Sequence, residues 1–171
     1  MHVNWLPAFP PEDPAELAGL TDAEKARPDG YQRFSDERSG CTKLQSTRSQ
    51  PLSFSLRDSP VGRLAWIVAP FRQWTDSRGL PEDAVDRDPM PSTGSSSARF
   101  YKENAANWGS FLHPLRVAVF AHEISRPVRK YAERTFGIAR WTEFDHGGHF
   151  AAMEAPEDLV AGIRAFFSGA R

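Results

Sequence analysis

The chain predicts an α/β fold in which a helical segment is followed by the last β-α-β-α of a mostly parallel sheet. Between residues 115 and 167 short strand-like runs alternate with helix-like ones, the order that builds parallel sheets. Between 52 and 74 apolar residues recur at spacings of three and four, the period of a helical face. The length, 171 residues, suits one modest domain that buries roughly 70% of its unfolded surface.

Residues 2 to 5 read as the tail of a strand, after which Pro7, Pro10, Pro11 and Pro14 force an extended connection. Thr21 to Glu24 is a capping-box pattern, with the threonine oxygen available to a first-turn amide and the glutamate reaching back. A helix is expected to start there and to be interrupted by Pro28-Asp29-Gly30 before Tyr31-Gln32-Arg33-Phe34 resumes it. Leu56, Leu64, Ile67, Val68, Phe71 and Trp74 give the helical period, with a natural break at Pro60, and Asp58-Ser59-Pro60 is a helix N-terminus. Residues 76 to 98 hold no period and are rich in Asp, Pro, Gly and Ser, which predicts loop. Strands are then expected over 115 to 121 and 138 to 144, and helices over 127 to 135 and 156 to 167.

Twenty-one basic and 22 acidic residues nearly cancel and are scattered, so no footprint for nucleic acid or anionic lipid is present. The single cysteine, Cys41, excludes an internal disulfide and matches a reducing cytoplasm. No apolar run approaches the roughly 18 residues that span a bilayer, and no signal peptide opens the chain. Fourteen prolines and a mean hydropathy of -0.52 describe a loop-rich chain with a thin core, which suggests a fragment more than a self-sufficient enzyme.

The most informative stretch is Trp141-Thr142-Glu143-Phe144-Asp145-His146-Gly147-Gly148-His149-Phe150. A strand-like run stops at two glycines, which let the backbone turn sharply and present His149 at the rim of a sheet. The run 116 to 121 ends likewise at His122-Glu123. A carboxylate and a histidine at the carboxyl ends of neighbouring strands form the base half of a catalytic triad. Glu123 would hold the proton on the far ring nitrogen, and His149 would serve as general base. The alternatives are a histidine bonded to backbone at a helix start and a solvated loop carboxylate. His122 and His146 flank these positions with nothing to fix them at a reacting centre, and no third or fourth ligand completes a metal site. Tyr101 can donate a phenolic hydrogen bond to a developing alkoxide, or simply pack beside Phe100. No cofactor motif is present, and no nucleophile is evident upstream.

Together these segments resemble the microsomal-type epoxide hydrolases of the α/β-hydrolase superfamily. The strings that carry the resemblance are Asp58-Ser59-Pro60-Val61-Gly62, Gly94-Ser95-Ser96-Ser97-Ala98-Arg99-Phe100-Tyr101, and residues 147 to 157 from Gly147 to Glu157, in the family's order. The resemblance implies a partial α/β-hydrolase fold: residues 1–12 as the end of a core strand and a linker, 13–110 as the helical cap, and 111–171 as the C-terminal part of the core. It makes His149 the base, Glu123 its acid partner and Tyr101 one of two cap tyrosines that polarise the epoxide oxygen. In that family an aspartate attacks an epoxide carbon to form an ester, which a base-activated water hydrolyses to a vicinal diol.

The chain departs from the pattern in three ways. The nucleophile elbow and oxyanion loop of the family lie N-terminal to the cap and have no counterpart here. Cys41, a weak donor, stands after Ser39-Gly40 where the second cap tyrosine is expected. A cap helix is shortened between Arg87-Asp88 and Gly94-Ser95. The expectation is therefore an epoxide hydrolase-like chain, inactive alone, that meets a small epoxide only when completed by an N-terminal half. The alternatives are a non-catalytic fragment that self-associates through an exposed sheet edge and, less favoured, a haloalkane dehalogenase-like hydrolase.

Overall fold

A computed structural model of the chain describes residues 2–10, 13–84 and 114–168. Three parallel strands form the sheet in the order β1 (His2–Val3), β2 (Leu115–Val119), β3 (Ile138–Glu143). Val3 lies beside Val117, and Val117 beside Trp141. Central β2 is buried at every residue, as a strand covered on both faces must be. Leu115, Val117 and Val119 pack with Leu6, Ala132 and Phe136 on one face, while Ala118 and Phe120 meet Ala151 and Ala155 on the other. This is the period-2 alternation of a strand, and it places α6 (Arg129–Thr135) on one side and α7 (Ala151–Glu154) with α8 (Pro156–Ser168) on the other.

Before β2 the chain is helical. The capping box forms as expected, with the Glu24 amide donating to Thr21 Oγ1 at 3.2 Å and the Thr21 amide to Glu24 Oε2 at 2.9 Å. It starts a helix of one turn, α1 (Asp22–Lys25). The expected interruption at Pro28-Asp29-Gly30 is not found. The break falls at Ala26, and α2 (Arg27–Arg33) runs through all three residues. Proline in a first turn removes an amide that has no partner there anyway, so Pro28 helps to begin a helix rather than ending one. A π-helical turn, Phe34–Arg38, leads into α3 (Gly40–Thr47), which the sequence did not disclose. Then α4 (Ser49–Asp58) and α5 (Pro60–Trp74) meet at Ser59, whose Oγ accepts from the Gly62 amide at 3.0 Å.

These helices are fastened to the carboxyl ends of the strands. Arg27 of α2 donates from Nη1 and Nη2 to the two carboxylate oxygens of Glu143, the last residue of β3, at 2.9 and 2.7 Å. Arg126 and the Trp141 indole join the same carboxylate at 3.1 and 3.0 Å. The surrounding guanidinium donors, Arg27 first, pull the Glu143 carboxyl down to about 2 against the opposing effect of burial. No helix among the described residues is long and apolar enough to cross a membrane.

Candidate active site

The loops that follow β2 and β3 run side by side. The His122 amide donates to Gly147 O at 2.9 Å, and His122 and Gly148 form an isolated parallel bridge. The pairing of the sheet thus continues one step past the strands and brings Glu123 beside His149, although 26 residues separate them. His149 Nδ1 lies 2.5 Å from Glu123 Oε1. The Glu123 side chain is fully buried and that of His149 is 27% exposed.

A buried carboxylate needs donors. Glu123 has the Ile124 amide on Oε1 at 2.9 Å and Asn4 Nδ2 near Oε2 at 3.4 Å, besides the histidine. Because the carboxylate accepts, Nδ1 carries the ring proton, and Nε2 keeps a lone pair able to take one. Nε2 has no hydrogen-bond partner among the described residues. Asn4, just beyond β1, also donates to the His149 carbonyl at 2.8 Å, so all three strands contribute to holding the pair.

Both glycines before His149 are required by space, and Gly147 by conformation as well. Gly147 has φ +73° and sits where a Cβ would approach Phe120 Cδ1 to 2.9 Å. At Gly148 a Cβ would lie 2.4 Å from the carbonyl oxygen of Trp74, the last residue of α5. That same carbonyl accepts from the His149 amide at 2.8 Å. Phe150 stacks on Phe71 of α5 with centroids 4.1 Å apart, and the Trp74 indole meets the His149 ring edge-on at 5.5 Å.

His149 opens on a cavity of about 320 Å³ whose other walls include Trp5, Tyr31, Phe34, Trp74 and Ile124. The lining is mostly apolar and aromatic, suited to a small uncharged molecule. Tyr31 brings a phenol to this cavity, a contribution the sequence did not single out. Cys41 lines a different, neighbouring cavity of about 460 Å³ with Arg38 and Trp66, and its Sγ is 3.9 Å from Arg38 O. Tyr101 lies outside the described residues.

The flanking histidines are engaged elsewhere. His122 Nε2 pairs with Asp76 Oδ1 at 3.1 Å, and His146 bridges Asp145 and Asp158 at 2.9 and 2.8 Å. The carboxylates of Asp145 and Asp158, accepting from the ring, raise the His146 pKa above its ordinary value. No cluster of three or more His, Cys, Asp or Glu able to hold a metal exists among the described residues.

No protein-family model matches the chain. It is 37% identical over 180 aligned positions to a protein of Stigmatella aurantiaca named "Putative epoxide hydrolase", an alignment that covers 98% of this chain and 40% of the relative. It is 32% identical over 152 positions to epoxide hydrolase 1 of Sus scrofa, covering 75% of this chain and 34% of that one. The solved structure of Aspergillus niger epoxide hydrolase superimposes with a TM-score of 0.79 at 26% identity, over 98% of this chain and 45% of that one. Juvenile hormone epoxide hydrolase of the silkworm Bombyx mori shares the fold with a TM-score of 0.71 at 21% identity, over 99% and 49%. The chain thus spans 34% to 40% of the length of these two curated relatives.

Proposed function

The chain belongs to the epoxide hydrolases of the microsomal type, with the α/β-hydrolase fold and a match to a C-terminal portion of its relatives, and we propose that it carries the base half of a site that hydrates epoxides to vicinal diols. The observation that carries this reading is the His149–Glu123 pair at the ends of adjoining parallel strands, with Nε2 beside an aromatic cavity and without a partner among the described residues. In the reaction so read, a carboxylate attacks an epoxide carbon, the C–O bond breaks, and an ester with a free alkoxide forms. His149 Nε2 then takes a proton from water as the water oxygen adds to the ester carbonyl. Glu123 stabilises the imidazolium, and collapse of the adduct, with its hydroxyl proton passing to the departing oxygen and the imidazolium proton returned to the alkoxide oxygen, releases diol and carboxylate. Splitting hydration into alkylation and ester hydrolysis replaces one difficult attack with two easier ones. Tyr101 is assigned the phenol that protonates the leaving oxygen, on the sequence resemblance alone. The cap and core boundaries near residues 13 and 110 belong to the same proposal.

Among the described residues the carboxylates around His149 are already engaged: Glu123 is bound to Nδ1, while Asp76 and Glu154 are bound to backbone amides of the turn. On that ground the 171 residues by themselves are proposed to hydrolyse no epoxide. A second reading, an association module, is favoured by the position of β1 at the edge of the three-strand sheet, where its outer backbone groups face no other described strand.

The test is diol formation from a simple aryl epoxide by two proteins. One is the 171-residue chain; the other carries these residues in place of the corresponding C-terminal portion of the Stigmatella aurantiaca relative. Turnover is expected only in the graft, and His149→Ala is expected to lower it by about 10²- to 10⁴-fold. A folded graft that is equally active with alanine at 149 would refute the assignment.

A further inference from the structure

The turn that carries His149 is held by a second carboxylate for which the hydration reaction has no use. Glu154, on α7, accepts from the Phe150 amide through Oε1 at 3.0 Å and from the Asp76 amide through Oε2 at 2.7 Å. Asp76 returns the connection, its Oδ2 accepting from the Gly147 amide at 3.0 Å. With the His149 amide on Trp74 O, the amides of residues 147, 149 and 150 all end on the last residue of α5, on Asp76 just after it, or on the glutamate that bridges to Asp76. Trp74 is also a wall of the cavity.

The position is a costly one for a carboxylate. Burial first, and then the charges of Asp76 and Glu123, raise the Glu154 pKa, only partly offset by the two amides it binds. What a carboxylate supplies there, and a single hydroxyl would not, is two acceptors in one rigid plane, one for each segment. Gly148 makes the approach feasible, since a Cβ at that residue would lie 3.0 and 3.1 Å from the two Glu154 oxygens.

We propose that Glu154 is a positioning residue for His149, tying the amide that follows the histidine to the amide after α5 so that base and cavity wall keep one fixed register. The inference rests on the reading of His149 as the base. Glu154 touches no reacting atom and acts only through the turn.

The experiment is nitrogen NMR of the 171-residue chain with labelled histidine, together with amide hydrogen exchange. In the parent protein His149 gives the single tautomer with Nδ1 protonated, and the Phe150 and Asp76 amides are protected. Glu154→Ala is expected to speed exchange at those two amides by about 10- to 100-fold and to shift the ring signals toward a mixture of tautomers. Glu154→Gln, which keeps the volume and one acceptor, is expected to deprotect one of the two amides and to move the ring signals less. A merely structural Glu154 would lower the unfolding temperature and leave the ring signals of the folded protein unchanged; that result, in either variant, overturns the proposal. Glu123→Leu, which removes the acceptor, separates the two readings. If it leaves the His149 tautomer untouched, the base assignment fails, whereas deprotected amides in the Glu154 variants would still identify the tie.

Discussion

Glu143→Gln probes the joint between the helical segment and the sheet, and its effect should depend on pH in a defined direction. In the folded protein the Glu143 carboxyl is lowered from 4.5 to about 2, chiefly by the Arg27 guanidinium. A lowering of that size corresponds to a ceiling of about 3 kcal/mol. The side chain is 34% exposed, so solvent screening reduces that ceiling to roughly 1–2 kcal/mol. Because the folded pKa is depressed, this stabilisation is present above the unfolded value near 4.5 and is lost as pH falls toward about 2. Urea unfolding of the parent chain and Glu143→Gln at pH 7, 5, 4 and 3 should therefore show a gap of roughly 1–2 kcal/mol at neutral pH that narrows below pH 4.5. Arg27→Ala should remove most of the gap, since it takes away the two shortest contacts. A gap that is equal at pH 7 and pH 3, or absent at pH 7, would refute the attribution to an ionised clamp.

Three further outcomes follow from single contacts. Gly148→Ala places a methyl group 2.4 Å from Trp74 O, and should destabilise the fold by about 2 kcal/mol or more in thermal unfolding while loosening the His149 turn. Arg116, 2% exposed in β2 with Nε and Nη1 unpartnered among the described residues, is a buried charge whose desolvation lowers its pKa. Arg116→Met should raise stability by about 1–3 kcal/mol, measured by urea midpoint, and a lowered midpoint would refute the reading of an uncompensated charge. If the edge of β1 recruits a second chain, sedimentation will show a mass that rises with concentration, and a constant monomer mass would remove the association reading.

Local signals were legible where a few neighbouring residues decide the conformation. Thr21 with Glu24 and Ser59 with Gly62 cap helices as their side-chain chemistry dictates. The strands over 115–119 and 138–143 follow from their β-branched and apolar runs, and the glycines before His149 mark a turn that the crowding at Gly147 and Gly148 explains. The reading failed at Pro28, where a helix breaker at one register is a helix starter at another, and at α3, whose Thr42, Lys43, Gln45, Ser46 and Thr47 leave too few apolar positions for a period. Within the candidate site, His149 and Glu123 were legible because each ends a strand-like run. Asn4, Tyr31, Asp76 and Glu154 were not. Asn4 and Asp76 meet the His149 turn across 145 and 71 residues, and such separations leave no trace in local spacing.

His149 is proposed to activate the water that hydrolyses an ester intermediate. The most direct test is the intact mass of the grafted enzyme and its His149→Gln variant after mixing with excess aryl epoxide. The account predicts that the variant accumulates a covalent adduct of one epoxide per chain, because alkylation proceeds and hydrolysis stalls, while the parent shows none at steady state. A variant that forms no adduct, or clears it as fast as the parent, would contradict the role given to His149.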